Sequence, residues 1–124
     1  MKTVVEKTFA KSDETRKFEK GKLDLLKIGE GVVGRFTLEP GWRWSTHVKP
    51  LAGTDWCETA HFQYIVSGRL HLKMQNGMEF EVGAGEVANV PSGHDAWVVG
   101  NEPVVGIDWA DASHYAQRVV AKAA

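Results

Sequence analysis

The 124-residue chain has one cysteine, Cys57, so no disulfide can close within it, and a reducing compartment, the cytoplasm, is the expected location. It also lacks a dominant charge. Fifteen basic residues against sixteen acidic ones leave a formal net charge of -1, which gives no reason to expect nucleic acid or an anionic membrane as partner. No apolar run approaches the length needed to span a bilayer, and Met1-Lys2-Thr3-Val4-Val5-Glu6-Lys7 has no signal-peptide core. A glycine-rich phosphate loop, a serine-centred elbow and a paired-cysteine zinc signature are all missing. The partner expected is a small molecule. What the chain does have is 13 glycines and five tryptophans, which favour many turns and bulky ring packing, as in an all-β domain. Its length suits one domain with a core that needs no staples.

Hydrophobic periodicity divides the chain into an N-terminal arm (1–20), a β-barrel domain (21–110) and a C-terminal helix or tail (111–124). The arm is charged and weakly periodic, with at most an edge strand. Leu23 to Ile28 and Val32 to Leu38 are apolar runs joined by Gly29-Glu30-Gly31, which reads as a hairpin. Trp42 to Val48 reads as extended, and Lys49 to Trp56, broken by Pro50 and Gly53, as a loop. From Cys57 a period of two puts Thr59, His61, Gln63 and Ile65 on one face, so that His61 and Gln63 share a cavity wall. Asn76-Gly77 joins two alternating strands, with Leu70, Leu72, Met74, Met78, Phe80 and Val82 expected inside and His71 facing water. Strands over Val87 to Val90, His94 to Val99 and Val104 to Trp109 follow, and Asp111 caps a short helix through Ala112, Tyr115, Ala116, Val119 and Val120. Many short strands with one late helix indicate a sandwich or barrel of the jelly-roll kind.

Across roughly residues 20 to 110 the chain resembles a single-domain cupin. Gly41 and His47 match the opening of the first cupin motif and Gly68 its close, while Gly85, Pro91 and Gly93 match the second motif in full spacing. The resemblance implies a small jelly-roll β-barrel, often a homodimer, whose histidines and glutamate bind one divalent metal for an oxygenase, isomerase or lyase reaction. The ligand positions depart from the pattern. Lys49 stands at the second histidine, His61 at the glutamate and Ala96 at the second-motif histidine, with His94 two residues earlier on the same face. Cys57, four residues before His61, is the substitute for the second histidine when Lys49 to Trp56 is treated as an insertion.

His47, His61 and His94 are therefore the candidate ligands of a divalent ion (zinc, iron, nickel or manganese) in the barrel mouth, with Cys57 as a further candidate. Gln63, Trp44, Trp56 and Arg43 are the candidate pocket residues for a small organic molecule. More ordinary roles stand beside these. A lone cysteine is commonly a small buried hydrophobe, most tryptophans in a small barrel pack its core, and His71 and His114 read as ordinary polar residues. The competing functions are a non-catalytic ligand-binding or sensor-like cupin, and a structural dimerisation domain with incidental histidines.

Overall fold

The computed structural model describes residues 3–109. A 3-10 turn, Phe9–Lys11, precedes nine strands: β1 Glu14–Phe18, β2 Gly21–Ile28, β3 Gly31–Leu38, β4 His61–Ser67, β5 Arg69–Met74, β6 Glu79–Gly83, β7 Val87–Val90, β8 His94–Val98 and β9 Val104–Asp108. Two one-turn helices, α1 Trp44–His47 and α2 Lys49–Ala52, lie between β3 and β4. The strands form a six-stranded sheet, ordered β1-β2-β3-β9-β4-β7, and a three-stranded one, β6-β5-β8. Every pairing in both is antiparallel. Leu23, Leu25, Phe36, Ile65, Leu70 and Val104 meet between the sheets, and each such burial is worth about 1.5–3 kcal/mol.

The glycines of the two motif segments serve the backbone. Gly41, Gly68, Gly85 and Gly93 have φ values of 89°, 81°, 86° and 90°, a region L side chains rarely adopt. Gly68 is the tightest, because it carries the chain from the larger sheet into the smaller one. A Cβ there would lie 2.4 Å from the Pro103 carbonyl oxygen and 2.8 Å from Val104 Cα.

The segment between β3 and β4 differs from its sequence reading. Trp42 to Val48 is extended only as far as Arg43, then turns into α1, and Lys49 to Ala52 is α2 rather than loop. Pro50 reads as a breaker in sequence but sits in the first turn of α2, where its fixed φ suits a helix and its missing N–H costs nothing. Gly53, at φ 73°, ends α2. Both ends of this excursion bridge to β8, Arg43 with Trp97 and Cys57 with His94. The expected C-terminal helix lies outside the described residues; the helices that are described are these central ones.

The β5–β6 hairpin has its expected Asn76-Gly77 turn, with Leu70, Leu72 and Val82 buried. Met78 and Phe80, expected inside, are 55% and 48% exposed. β6 is an edge strand of the narrower sheet, so its outer end has no strand across from it, and an apolar groove opens between it and β7. On the outer face of the larger sheet Phe62, Tyr64 and Val66 of β4 are exposed, as are Val87 and Trp109.

Candidate metal centre

Cys57, His61 and His94 come together, all buried, with one ligand atom of each within 4.8 Å of the others. Each reaches the site by a different route. His61 opens β4 on the larger sheet, His94 opens β8 on the smaller, and Cys57 is held against β8 by hydrogen bonds from Cys57 N to His94 O (2.8 Å) and from Gly93 N to Cys57 O (2.7 Å). The two imidazole rings stand edge to face with centroids 5.1 Å apart.

The hydrogen bonds of the rings decide which nitrogens remain. His94 Nδ1 lies 2.8 Å from the Pro91 carbonyl oxygen, an acceptor only, so Nδ1 carries a proton and Nε2 is the nitrogen left for the site. His61 Nδ1 lies 2.5 Å from Asp108 Oδ2, and His61 Nε2 faces Cys57 Sγ at 4.0 Å. An Nδ1–H held by a carboxylate or a carbonyl, with Nε2 presented inward, is the support that metal-ligating histidines typically have. Asp108 is 2% exposed, and its other oxygen accepts the Phe62 N–H at 3.2 Å. Sequence reading passed over Asp108. The signal was its parity: Val104, Gly106 and Asp108 share the buried face of β9.

Burial alone pushes the Cys57 thiol up, but hydrogen bonds from His61 and His94 and their charge outweigh it and bring the pKa down to about 6. For His61, burial disfavours the imidazolium, while the hydrogen bonds to Asp108 and Cys57 and their charges prevail and raise it to about 9. Both shifts run in the direction of a thiolate beside an imidazolium. Loading an ion would replace the His61 proton. Tetrahedral bonds of about 2.0–2.3 Å set ligand atoms roughly 3.4–3.6 Å apart, so these side chains would draw in by about 1 Å or less on average. The donor set fits a divalent ion of soft or borderline character.

The remaining candidates are placed as follows. His47 stays outside the group: its Nδ1 accepts the Arg43 backbone N–H at 3.0 Å and its Nε2 is 4.0 Å from Glu19. α1, where an extended strand was expected, turns it away from the cavity. Trp44 and Gln63 line the central cavity, together with Trp42, His61, His94 and Asp108. Arg43 lies over the Trp97 ring at 4.0 Å and 3.6 Å from Asp95, away from that cavity. Trp56 lines an open polar groove with Glu58, Gln75, Ser92 and Gly93, beside the Cys57–His94 bridge. The central cavity is narrow, with about 30 Å³ open to the centres of water molecules. A water needs about 10–15 Å³ of such space, so two or three fit.

No protein-family model matches the chain, and no curated protein matches it. Solved structures do. A cupin-like protein from Thermotoga maritima superimposes with a TM-score of 0.57 at 16% identity, over 84% of this chain and 82% of that one. A cupin-2 domain protein from Rhodospirillum rubrum gives 0.55 at 18% identity, over 83% of this chain and 64% of that one. An oxalate decarboxylase from Lactobacillus farciminis, solved as its formate complex, gives 0.58 at 17% identity over 86% of this chain, which spans 31% of that larger protein. The chain has the cupin double-stranded β-helix fold, with a buried Cys57, His61 and His94 group able to hold a metal ion.

Proposed function

We propose that this chain is a metal-dependent cupin acting on a small organic molecule, with a divalent ion held by Cys57, His61 and His94. The observation that carries this reading is the tethering of both Nδ1 atoms, to Asp108 and to Pro91 O, in the two rings that meet Cys57. Isolated core histidines have no need of such convergence. One thiolate and two imidazoles suit zinc, iron, nickel or copper better than manganese, which prefers oxygen ligands. A bound ion would supply Lewis-acid polarisation of a coordinated oxygen. The chain's own contribution is to orient the two rings, to hold the thiolate charged and to exclude bulk water through the apolar walls of the cavity. Three protein ligands leave a coordination position for substrate, the arrangement of catalytic rather than structural sites.

Homodimerisation is part of the proposal. The exposed row Phe62, Tyr64 and Val66 beside Val87 offers an apolar face that a second copy would cover by two-fold symmetry. Sedimentation at falling concentration tests this, and a monomer at micromolar concentration would refute it.

Elemental analysis of untagged full-length protein, after reconstitution with each metal in turn, tests the main reading. About one ion per chain is expected for the wild type and a small fraction of that for His61→Ala and Cys57→Ala. A wild type that stays metal-free, or variants that load like it, would overturn the reading.

A further inference from the structure

The central cavity has room for about two or three waters, so an organic molecule of more than a few heavy atoms must keep its body outside it. A larger space starts one strand away. The groove between β6 and β7 holds about 430 Å³, within the size range of small-molecule sites, and its walls include Met74, Met78, Phe80, Val82, Ala88 and Val90. Strand register places it in the same layer between the sheets as the metal group. Val90 is paired with His61 and Ala88 with Gln63 on the larger sheet, while Met74 is paired with His94 and Leu72 with Ala96 on the smaller. Leu72 lines both spaces.

The walls set the chemistry of an occupant. Phe80 shares the inward parity of Val82 and is paired with Leu72, yet it is 48% exposed, because β6 is an edge strand and the sheets stand apart there. Met78, at the lip, is 55% exposed. Glu81, the one charged residue of the groove among the described residues, lies 3.3 Å from Arg69 Nη1 and 3.4 Å from His71 Nδ1, so the groove offers no free charge. A charged ligand would lose water there and gain no partner, whereas a neutral one loses little. Two thioethers and a phenyl ring favour an aromatic body, since methionine adapts its shape, its sulfur packs well against ring edges, and rings stack on rings. The polar groove at Trp56, by contrast, exposes Asp55 and Glu58 and suits water.

We propose that the groove between β6 and β7 binds a neutral aromatic molecule through Met74, Met78 and Phe80, and that it holds the apolar body of the substrate beside the Cys57, His61 and His94 group. In joining the groove to an ion, the proposal rests on the metal reading above; the groove as a binding site does not.

Fluorescence titration of the metal-free full-length protein with N-phenyl-1-naphthylamine, a neutral aromatic probe, tests the groove alone. Saturable binding of about one probe per chain is expected, weakened about tenfold or more in Phe80→Ala and severalfold in Met78→Ala. Both side chains are half exposed, so both variants should fold, which circular dichroism verifies. Phe62→Ala, on the outer face of the larger sheet, should bind the probe like the wild type. No binding, or equal binding in both groove variants, would overturn the proposal. A Phe80→Ala variant that loosens a dimer in sedimentation would overturn it too, by making a second copy the occupant. Cobalt(II)-loaded protein then tests the link to the metal centre through the cobalt d–d bands. Naphthalene-2-hydroxamate should bind about tenfold or more tighter than acetohydroxamate, and Phe80→Ala should remove that advantage. Equal affinities in the wild type would overturn the link while leaving the metal reading standing. If cobalt does not load, the metal reading fails and the link with it, while the probe titration still decides the groove.

Discussion

Asp108→Asn distinguishes a positioned metal ligand from an ordinary buried histidine. The native carboxylate accepts from two donors, His61 Nδ1 at 2.5 Å through Oδ2 and Phe62 N at 3.2 Å through Oδ1. Asparagine has one oxygen. If that oxygen keeps the imidazole, the amide NH2 faces the Phe62 N–H, donor against donor, at a cost of about 1–3 kcal/mol. The charge-assisted character of the His61 bond is lost too, so the metal-free variant should be destabilised by about 2–4 kcal/mol in urea denaturation. Metal affinity reports the function. A lost carboxylate behind a ligating histidine typically weakens the metal about 10–100-fold, roughly 1.4–2.7 kcal/mol. Competition for zinc against a chromophoric chelator, under conditions where circular dichroism finds the variant folded, measures this. A zinc Kd within about twofold of wild type would show that Asp108 only packs and pairs, and the assignment of His61 as an oriented ligand would fail.

Three further outcomes follow from named contacts. His47→Ala should leave metal stoichiometry unchanged, because His47 pairs with Arg43 N and faces Glu19; loss of the ion in this variant would restore His47 to the site. Gly68→Ala should destabilise severely, by about 3 kcal/mol or more, since a Cβ at φ 81° meets the Pro103 and Val104 backbone; a melting temperature near wild type would refute that. The pH dependence of the metal-free fold carries a sign. His61, raised to about 9 from 6.5, adds stability that is whole below pH 6.5 and lost as pH rises through 9. Cys57, lowered to about 6 from 9.0, adds stability that is whole above pH 9 and lost as pH falls through 6. The two trends oppose each other over the same window, so wild-type stability should be nearly flat from pH 6.5 to 9. In Cys57→Ala, where Asp108 remains to raise the His61 pKa but Cys57 no longer does, stability should decline with rising pH over a narrower window above 6.5, by up to about 1.4 kcal/mol per unit. Equal slopes in the two proteins, from urea denaturation across that range, would refute the opposition.

How much was legible in the sequence varied with how local the cause was. Strict alternation over His61 to Ile65 and the Asn76-Gly77 turn are short-range signals, and the structure places His61, Gln63 and Ile65 inward as their parity requires. The motif glycines were legible for the same reason, since each answers to its own φ. α1 and α2 were not, because Pro50 breaks a helix interior but starts one well, and sequence alone does not say which turn it occupies. Met78 and Phe80 alternate correctly yet lie exposed, since burial depends on what stands opposite, and β6 is an edge. Asp108 escaped notice because its partner is 47 positions away along the chain, His61 on the neighbouring strand. His47 matched its motif in spacing, but the direction of its side chain was set by a helical turn that spacing does not encode.

The placement of the three site residues has a mechanical consequence. His61, with Asp108 behind it, belongs to the larger sheet, while His94 belongs to the smaller one and Cys57 is laced to it at the close of the α1–α2 excursion. One ion bonded to all three would therefore act as a latch at that end of the barrel. The open groove between the sheet edges β6 and β7 starts beside it, since its walls include Met74, paired with His94, and Val90, paired with His61. The chain already joins the two sheets there through Pro91-Ser92-Gly93, between β7 and β8, so the ion would add a second tie to that seam and occupancy of the site would stiffen it.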